Sequence, residues 1–226
     1  GGIRKKVEQL IDQNIDEAVY NLLKAQLDGL GGALKLYLQA VQQKDTEAMR
    51  MQFIASNTAF VEAAPQFQNK DYAWELSPLF AIFTNLHMNL LRDCVLNGKD
   101  WGWSSNVFAG IVSQSQDASK RYQDYLDQLV KNQELEWSKG APAPGPHMTA
   151  SYNYYQPLDR SRVLLIDDFR VLLTYLDPIA YPDPTSEVPL QDVFSLAYGT
   201  ADDWDDTCAD WADSVKTPYS APLARL

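Results

Sequence analysis

Six aspartates fall within a dozen residues toward the end of the chain: Asp202, Asp203, Asp205, Asp206, Asp210 and Asp213. Carboxylates paired at such spacing can hold a hard divalent cation, and a cation so held can carry a diphosphate. Asp202, Asp205, Asp206 and Asp210 form the candidate Mg²⁺ set. Arg121-Tyr122, with Arg160 or Arg162, would clamp the phosphate oxygens in that chemistry. Such a run is more often a solvated face or loop, and here it lies outside any amphipathic pattern with no second metal motif to accompany it. Other reactive residues are sparse. His87 lies on an apolar segment with no second histidine nearby, and His147 is the only other. It therefore reads as a core histidine held by hydrogen bonds, not as a metal ligand. Cys94 and Cys208 make neither a disulfide scaffold nor a four-cysteine zinc site, and whether they pair stays open. No Gly-rich phosphate loop, G-x-S-x-G elbow or H-E-x-x-H zinc helix is present.

The 226 residues are 46% hydrophobic and 22% charged, with 11 Gly and 12 Pro, which excludes disordered, collagenous and low-complexity chains. Against 30 Asp plus Glu stand 19 Lys plus Arg, a formal charge of -11. Nonspecific nucleic-acid binding needs clustered cations and is disfavoured, as is attraction to anionic lipid. No run of about twenty apolar residues offers a ready-made membrane span. Gly1 opens without a signal-peptide pattern and reads as a trimmed start.

The elements that would position these residues are helical. Apolar residues three and four apart run from Val7 through Leu27 and resume at Leu30, Leu34, Tyr37 and Val41. They predict one long helix over Ile3 to Gln43, with a kink at Gly29, Gly31 and Gly32. Asp45 is an N-cap for a second helix that ends at Pro65, and 66–71 reads as a polar turn. The third segment, 72–96, is apolar nearly all round, with Leu79, Phe80, Ile82, Phe83, Leu86 and Leu90 prominent. Such a helix is normally enclosed by others. Pro78 lies early in it and Asn97-Gly98 stops it. A fourth helix runs from Ser104 or Ser105 to about Lys139, Gly140–Pro146 is a Pro/Gly linker, and a fifth helix covers Leu158 to Leu176. A short strand-like stretch spans Val193–Tyr198. The fold class is all-α: a bundle around the 72–96 helix over 1–200, followed by an acidic segment at 201–226.

The order of motifs resembles the N-terminal helical domain of the three-domain crystal pesticidal toxins (δ-endotoxins). VEQLIDQNI and QLDGLGGALKLYLQAV are similar to that family's third helix, and MRMQFIASNTAFVEAAPQF to its fourth. ELSPLFAIFTNLHMNLLRDCVLNGKDWGWS is similar to its central fifth helix through Leu76, Pro78, Asn85, Leu86, His87, Leu91, Arg92, Asp93, Gly98, Trp101 and Gly102. FRVLLTYLDPIAYPDP is similar to its seventh helix, and VPLQDVFSLAY to the strand leading into its second domain. The resemblance covers about Ile3 to Tyr198, and the linker and acidic segment depart from it.

The resemblance implies a closed bundle whose apolar hairpin, 46–64 with 72–96, is released at a target-cell membrane, inserts and assembles into a homo-oligomeric, cation-permeable pore. Leu79, Phe80, Ile82, Phe83, Leu86 and Leu90 would face lipid or neighbouring helices, and Arg92 and Asp93 would form an ion pair holding the bundle closed. It implies secretion or release to act at a host membrane, with no enzyme activity and no cofactor. Two other readings stand beside it. DDTCAD also resembles the Mg²⁺ motif of isoprenoid-diphosphate enzymes, a cytoplasmic terpene-cyclase-like alternative with a prenyl diphosphate as substrate and Arg121, Tyr122 and Arg160 as catalytic candidates. The other is a non-lytic helical binding module.

Overall fold

A computed structural model of the chain describes residues 17–140 and 157–182. Five α-helices make up these residues: α1 (Glu17–Gln43), α2 (Thr46–Phe67), α3 (Ala73–Asn97), α4 (Ser105–Gly140) and α5 (Pro157–Tyr175). A short 3₁₀ turn, Lys70–Tyr72, precedes α3, and the described residues contain no strand. Residues 141–146, Val193–Tyr198 and the aspartates from Asp202 to Asp213 lie outside the described residues.

α1 is uninterrupted, and the expected kink at its glycines does not break it. One stripe of α1, Leu23, Leu27, Leu30, Leu34, Tyr37 and Ala40, is buried, as its spacing predicts. Only Lys44 and Asp45 separate α1 from α2. Lys44 takes a left-handed conformation, and the Asp45 carboxylate accepts a hydrogen bond from the Ala48 N–H at 3.0 Å, capping α2. α2 runs two residues beyond Pro65, the expected end. The proline sits in the last turn, the Gln68 N–H closes that turn onto the Pro65 carbonyl at 3.3 Å, and fully buried Phe67 anchors it against Phe83 at 4.8 Å.

α3 contacts all four other helices and is the axis of the bundle. Leu76, Leu79, Phe80, Ala81, Phe83, Met88, Leu90 and Leu91 are buried on every side of it, which a single apolar stripe could not achieve. Pro78 deprives the Trp74 carbonyl of its usual N–H partner four residues on. The Ser77 hydroxyl donates to that carbonyl instead, at 2.6 Å, so the helix continues through the proline.

Residues 98–104 join α3 to α4 and fold against α2. Gly98 ends α3 with its N–H on the Cys94 carbonyl at 2.7 Å, at an approach that a Cβ would block. Gly102 has φ +86° and lies under the Arg50 guanidinium, which donates to the Trp101 carbonyl. Both conditions exclude a side chain there.

Glycine therefore has opposite value at two places. A Cβ on Gly32 would meet no atom within 4 Å. Gly32→Ala should raise the unfolding free energy by about 0.5–1 kcal/mol. Gly102→Ala should lower it by about 1–3 kcal/mol through backbone strain and collision with Arg50. Urea denaturation of the two variants beside the wild type checks both signs.

Candidate functional site

The site is the polar layer that α3 carries through the core. Ser77, Thr84, Asn85, His87 and Asn89 are all buried, in a helix with protein on most of its circumference. A buried polar group without a partner costs about 1–3 kcal/mol, and of these side chains Asn89 leaves its Oδ1 without one. Three find partners on their own helix. Ser77 donates to the Trp74 carbonyl, Thr84 Oγ1 to the Ala81 carbonyl at 2.8 Å, and Asn89 Nδ2 to the Asn85 carbonyl and Oδ1 at 2.9 Å each.

His87 depends on other helices. Its Nε2 lies 2.7 Å from Asn57 Oδ1 on α2, and its Nδ1 lies 2.6 Å from the Tyr122 hydroxyl on α4. The Asn57 amide is paired head to tail with Gln114. Asn57 Nδ2 donates to Gln114 Oε1 at 2.8 Å, and Gln114 Nε2 donates back to Asn57 Oδ1 at 3.0 Å. Asn57 Oδ1 is an amide oxygen and only accepts, so His87 donates through Nε2–H and accepts from the Tyr122 hydroxyl at Nδ1. Phe60 stacks on the imidazole with centroids 4.9 Å apart and planes 2° from parallel. In the closed bundle, desolvation, with Arg121 adding to it, pushes the imidazole down from 6.5 to about 3, and the ring is neutral. Burial also raises the Tyr122 hydroxyl.

A second cluster lies near the end of α3. The Tyr37 hydroxyl of α1 donates to Asp93, and Asn97 Nδ2 donates to the other carboxylate oxygen at 2.8 Å. Burial raises the Asp93 carboxyl, and both hydrogen bonds partly offset this. Arg92 reaches the Asp177 carbonyl beyond α5 at 3.4 Å. The two residues read as the bundle's ion pair thus engage opposite neighbours, α1 and the exit of α5.

Leu79, Phe80, Phe83 and Leu90 are buried at the bundle axis, while Ile82 and Leu86 are half-buried. Phe80 lies edge-on to Tyr122 and Tyr125 at 5.7 and 4.9 Å. Arg121 is exposed and Tyr122 is buried against His87, so the two do not converge on a common site. The Arg160 side chain and Asp202, Asp205, Asp206 and Asp210 lie outside the described residues. Among the described residues no group of three or more His, Cys, Asp or Glu could hold a metal ion. Sequence reasoning missed Tyr37, Asn57 and Gln114. The one available signal was a polar residue, Asn57, between the apolar positions Phe53 and Phe60 of α2.

The model of the delta endotoxin N-terminal domain family matches residues 2–141. The pesticidal crystal protein Cry1Id of Bacillus thuringiensis is 30% identical over 202 residues, 86% of this chain and 27% of that protein. Cry7Aa of Bacillus thuringiensis is 32% identical over 200 residues, 84% of this chain and 17% of that protein. The chain thus spans about a quarter or less of the length of these relatives. The solved structure of the insecticidal delta-endotoxin Cry8Ea1 from Bacillus thuringiensis superposes with a TM-score of 0.66 at 24% identity, over 80% of this chain and 31% of that one. At that identity the match bears on the fold.

The His87 geometry sets a pH dependence. Between pH 6.5 and about 3 the unfolded chain binds a proton that the folded imidazole refuses. Stability should fall as pH drops through that window, by up to about 1.4 kcal/mol per unit, and His87→Gln should flatten the fall. Asp93 acts with the opposite sign, because its raised carboxyl takes up a proton more readily folded than unfolded. Asp93→Asn should therefore steepen the fall. Urea midpoints from pH 7 to 4 for the three proteins check both.

Proposed function

The chain belongs to the delta endotoxin N-terminal domain family, and on that premise we propose that it is a membrane-inserting, pore-forming helical unit whose α2–α3 hairpin leaves the bundle and enters a target-cell membrane. The observation that carries the reading is α3 itself, an apolar helix buried over most of its circumference and joined by a five-residue turn to α2, which buries Met49, Phe53 and Phe60. At 25 residues α3 is about 37 Å long, against a hydrocarbon core of about 30 Å.

Length alone does not suffice. Among the described residues no helix is long and apolar enough to cross a membrane. Thr84, Asn85, His87 and Asn89 lower the mean hydropathy of α3, and each exposed polar group in hydrocarbon costs several kcal/mol. Insertion as a pair, and assembly of several hairpins into a homo-oligomer, would shield these groups and line a cation-permeable path. The protein would act after release, at the surface of a host cell. Opening requires breaking the bonds that tie the hairpin to its surroundings, chiefly Tyr37 to Asp93, Tyr122 to His87 and Gln114 to Asn57.

A reversible lock tests release. The Ser56 hydroxyl on α2 lies 3.4 Å from the Ala33 carbonyl on α1. Cysteines at these two positions, in a Cys208→Ser background and with bridge formation checked by thiol titration, would pin the hairpin to α1. Burial pushes the Cys94 thiol up to about 12, which keeps it out of exchange. Dye release from vesicles should fall at least about tenfold on oxidation and return on reduction. Equal leakage in both states would exclude hairpin release. A parallel assay with Mg²⁺ and a prenyl diphosphate should give no product.

A further inference from the structure

The polar contacts of the hairpin divide into those that release would break and those that could travel with it. Ser77, Thr84 and Asn89 bond within α3. Tyr37, Tyr122 and Gln114 bond from α1 and α4, outside the hairpin. A bond from His87 Nε2 to Asn57 Oδ1, at 2.7 Å, joins the two arms of the hairpin to each other. The same ring is covered by Phe60, one turn along α2 from Asn57, so two residues on one face of α2 hold its edge and its face. Phe60 and Phe67 also pack on Phe83 at 5.3 and 4.8 Å, and these contacts too are internal to the hairpin.

Resting on the insertion reading above, we propose that the Asn57–His87 hydrogen bond is a register clasp of the hairpin, carried intact from the closed bundle into the membrane. His87 and Asn57 are positioning residues here. Once Tyr122 and Gln114 are left behind, each partner still holds the other at hydrogen-bond distance, in surroundings where water does not compete. A slip of one helical turn would displace Asn57 by about 5.4 Å and break the bond. The clasp therefore fixes how α2 lies along α3, and with it which faces the two helices present to the pore and to neighbouring hairpins.

The test uses the full chain with His147→Gln, labelled with ring-¹⁵N histidine and side-chain ¹³C asparagine, inserted into palmitoyl-oleoyl phosphatidylcholine vesicles. Solid-state NMR should show His87 as a neutral ring protonated at Nε2, dipolar-coupled to an asparagine amide carbon within about 4 Å. The Nε2 proton should exchange with deuterated water about tenfold more slowly than in Asn57→Ala, and Gln114→Ala should leave that rate unchanged. The coupling is read in protein with wild-type Asn57, so it decides the matter even where Asn57→Ala fails to fold. Inserted, leaking protein without the coupling, or a rate insensitive to Asn57, would overturn the clasp alone. Protein that neither binds vesicles nor releases dye would overturn the insertion reading and the clasp with it.

Discussion

An apolar helix walled in by four others can keep a polar side chain only if it brings the partner along or finds one across the interface. α3 meets this constraint in both ways, and the bundle is arranged around the result. Where the helix supplies its own acceptor, as at Ser77 and Thr84, the neighbours need only be apolar. Where it cannot, a specific residue has to be delivered from a specific height on another helix. Tyr122, Asn57 and Tyr37 are those deliveries, and they set the mutual register of α1, α2, α3 and α4 more narrowly than apolar packing would.

The balance of these contacts separates two kinds of stability. Apolar burial around α3 is large and indifferent to pH. The links through His87 and Asp93 are few, directional and protonation-dependent, with opposite signs. On the insertion reading, a bundle held in this way would be strongly folded and still loosen along chosen seams, with the arms of the hairpin staying joined to each other.

The helices were legible in the sequence because burial on one side of a helix leaves a period that a reader can count. The 72–96 segment was legible for the opposite reason, since an absence of period in a long apolar run means enclosure, and α3 is enclosed. The resemblance to the crystal-toxin helical domain agrees with the family match over residues 2–141. What escaped was pairing at a distance. Tyr37 fits the apolar stripe of α1, yet its hydroxyl meets a carboxylate 56 residues away. Gln114 is an ordinary polar helix residue until Asn57 is placed opposite it. The end of α2 also escaped, because the rule that proline stops a helix gave way to Phe67, which gains more by burial than the last turn loses.

The short connections carry a mechanical consequence. Two residues tie α1 to α2, and seven tie α3 to α4. Fully stretched, those tethers reach about 7 Å and about 25 Å. A hairpin that enters a bilayer by its 68–72 tip therefore drags an anchor at each open end, with α1 on a leash barely longer than one helical turn and α4 on one shorter than the bilayer is thick. On the insertion reading, neither anchor would lie farther from the entry surface than its tether allows, and both would be drawn down to it. The slack of 98–104, taken up in the closed bundle by the Arg50 guanidinium on the Trp101 carbonyl, is then the play that decides how far α4 can lag.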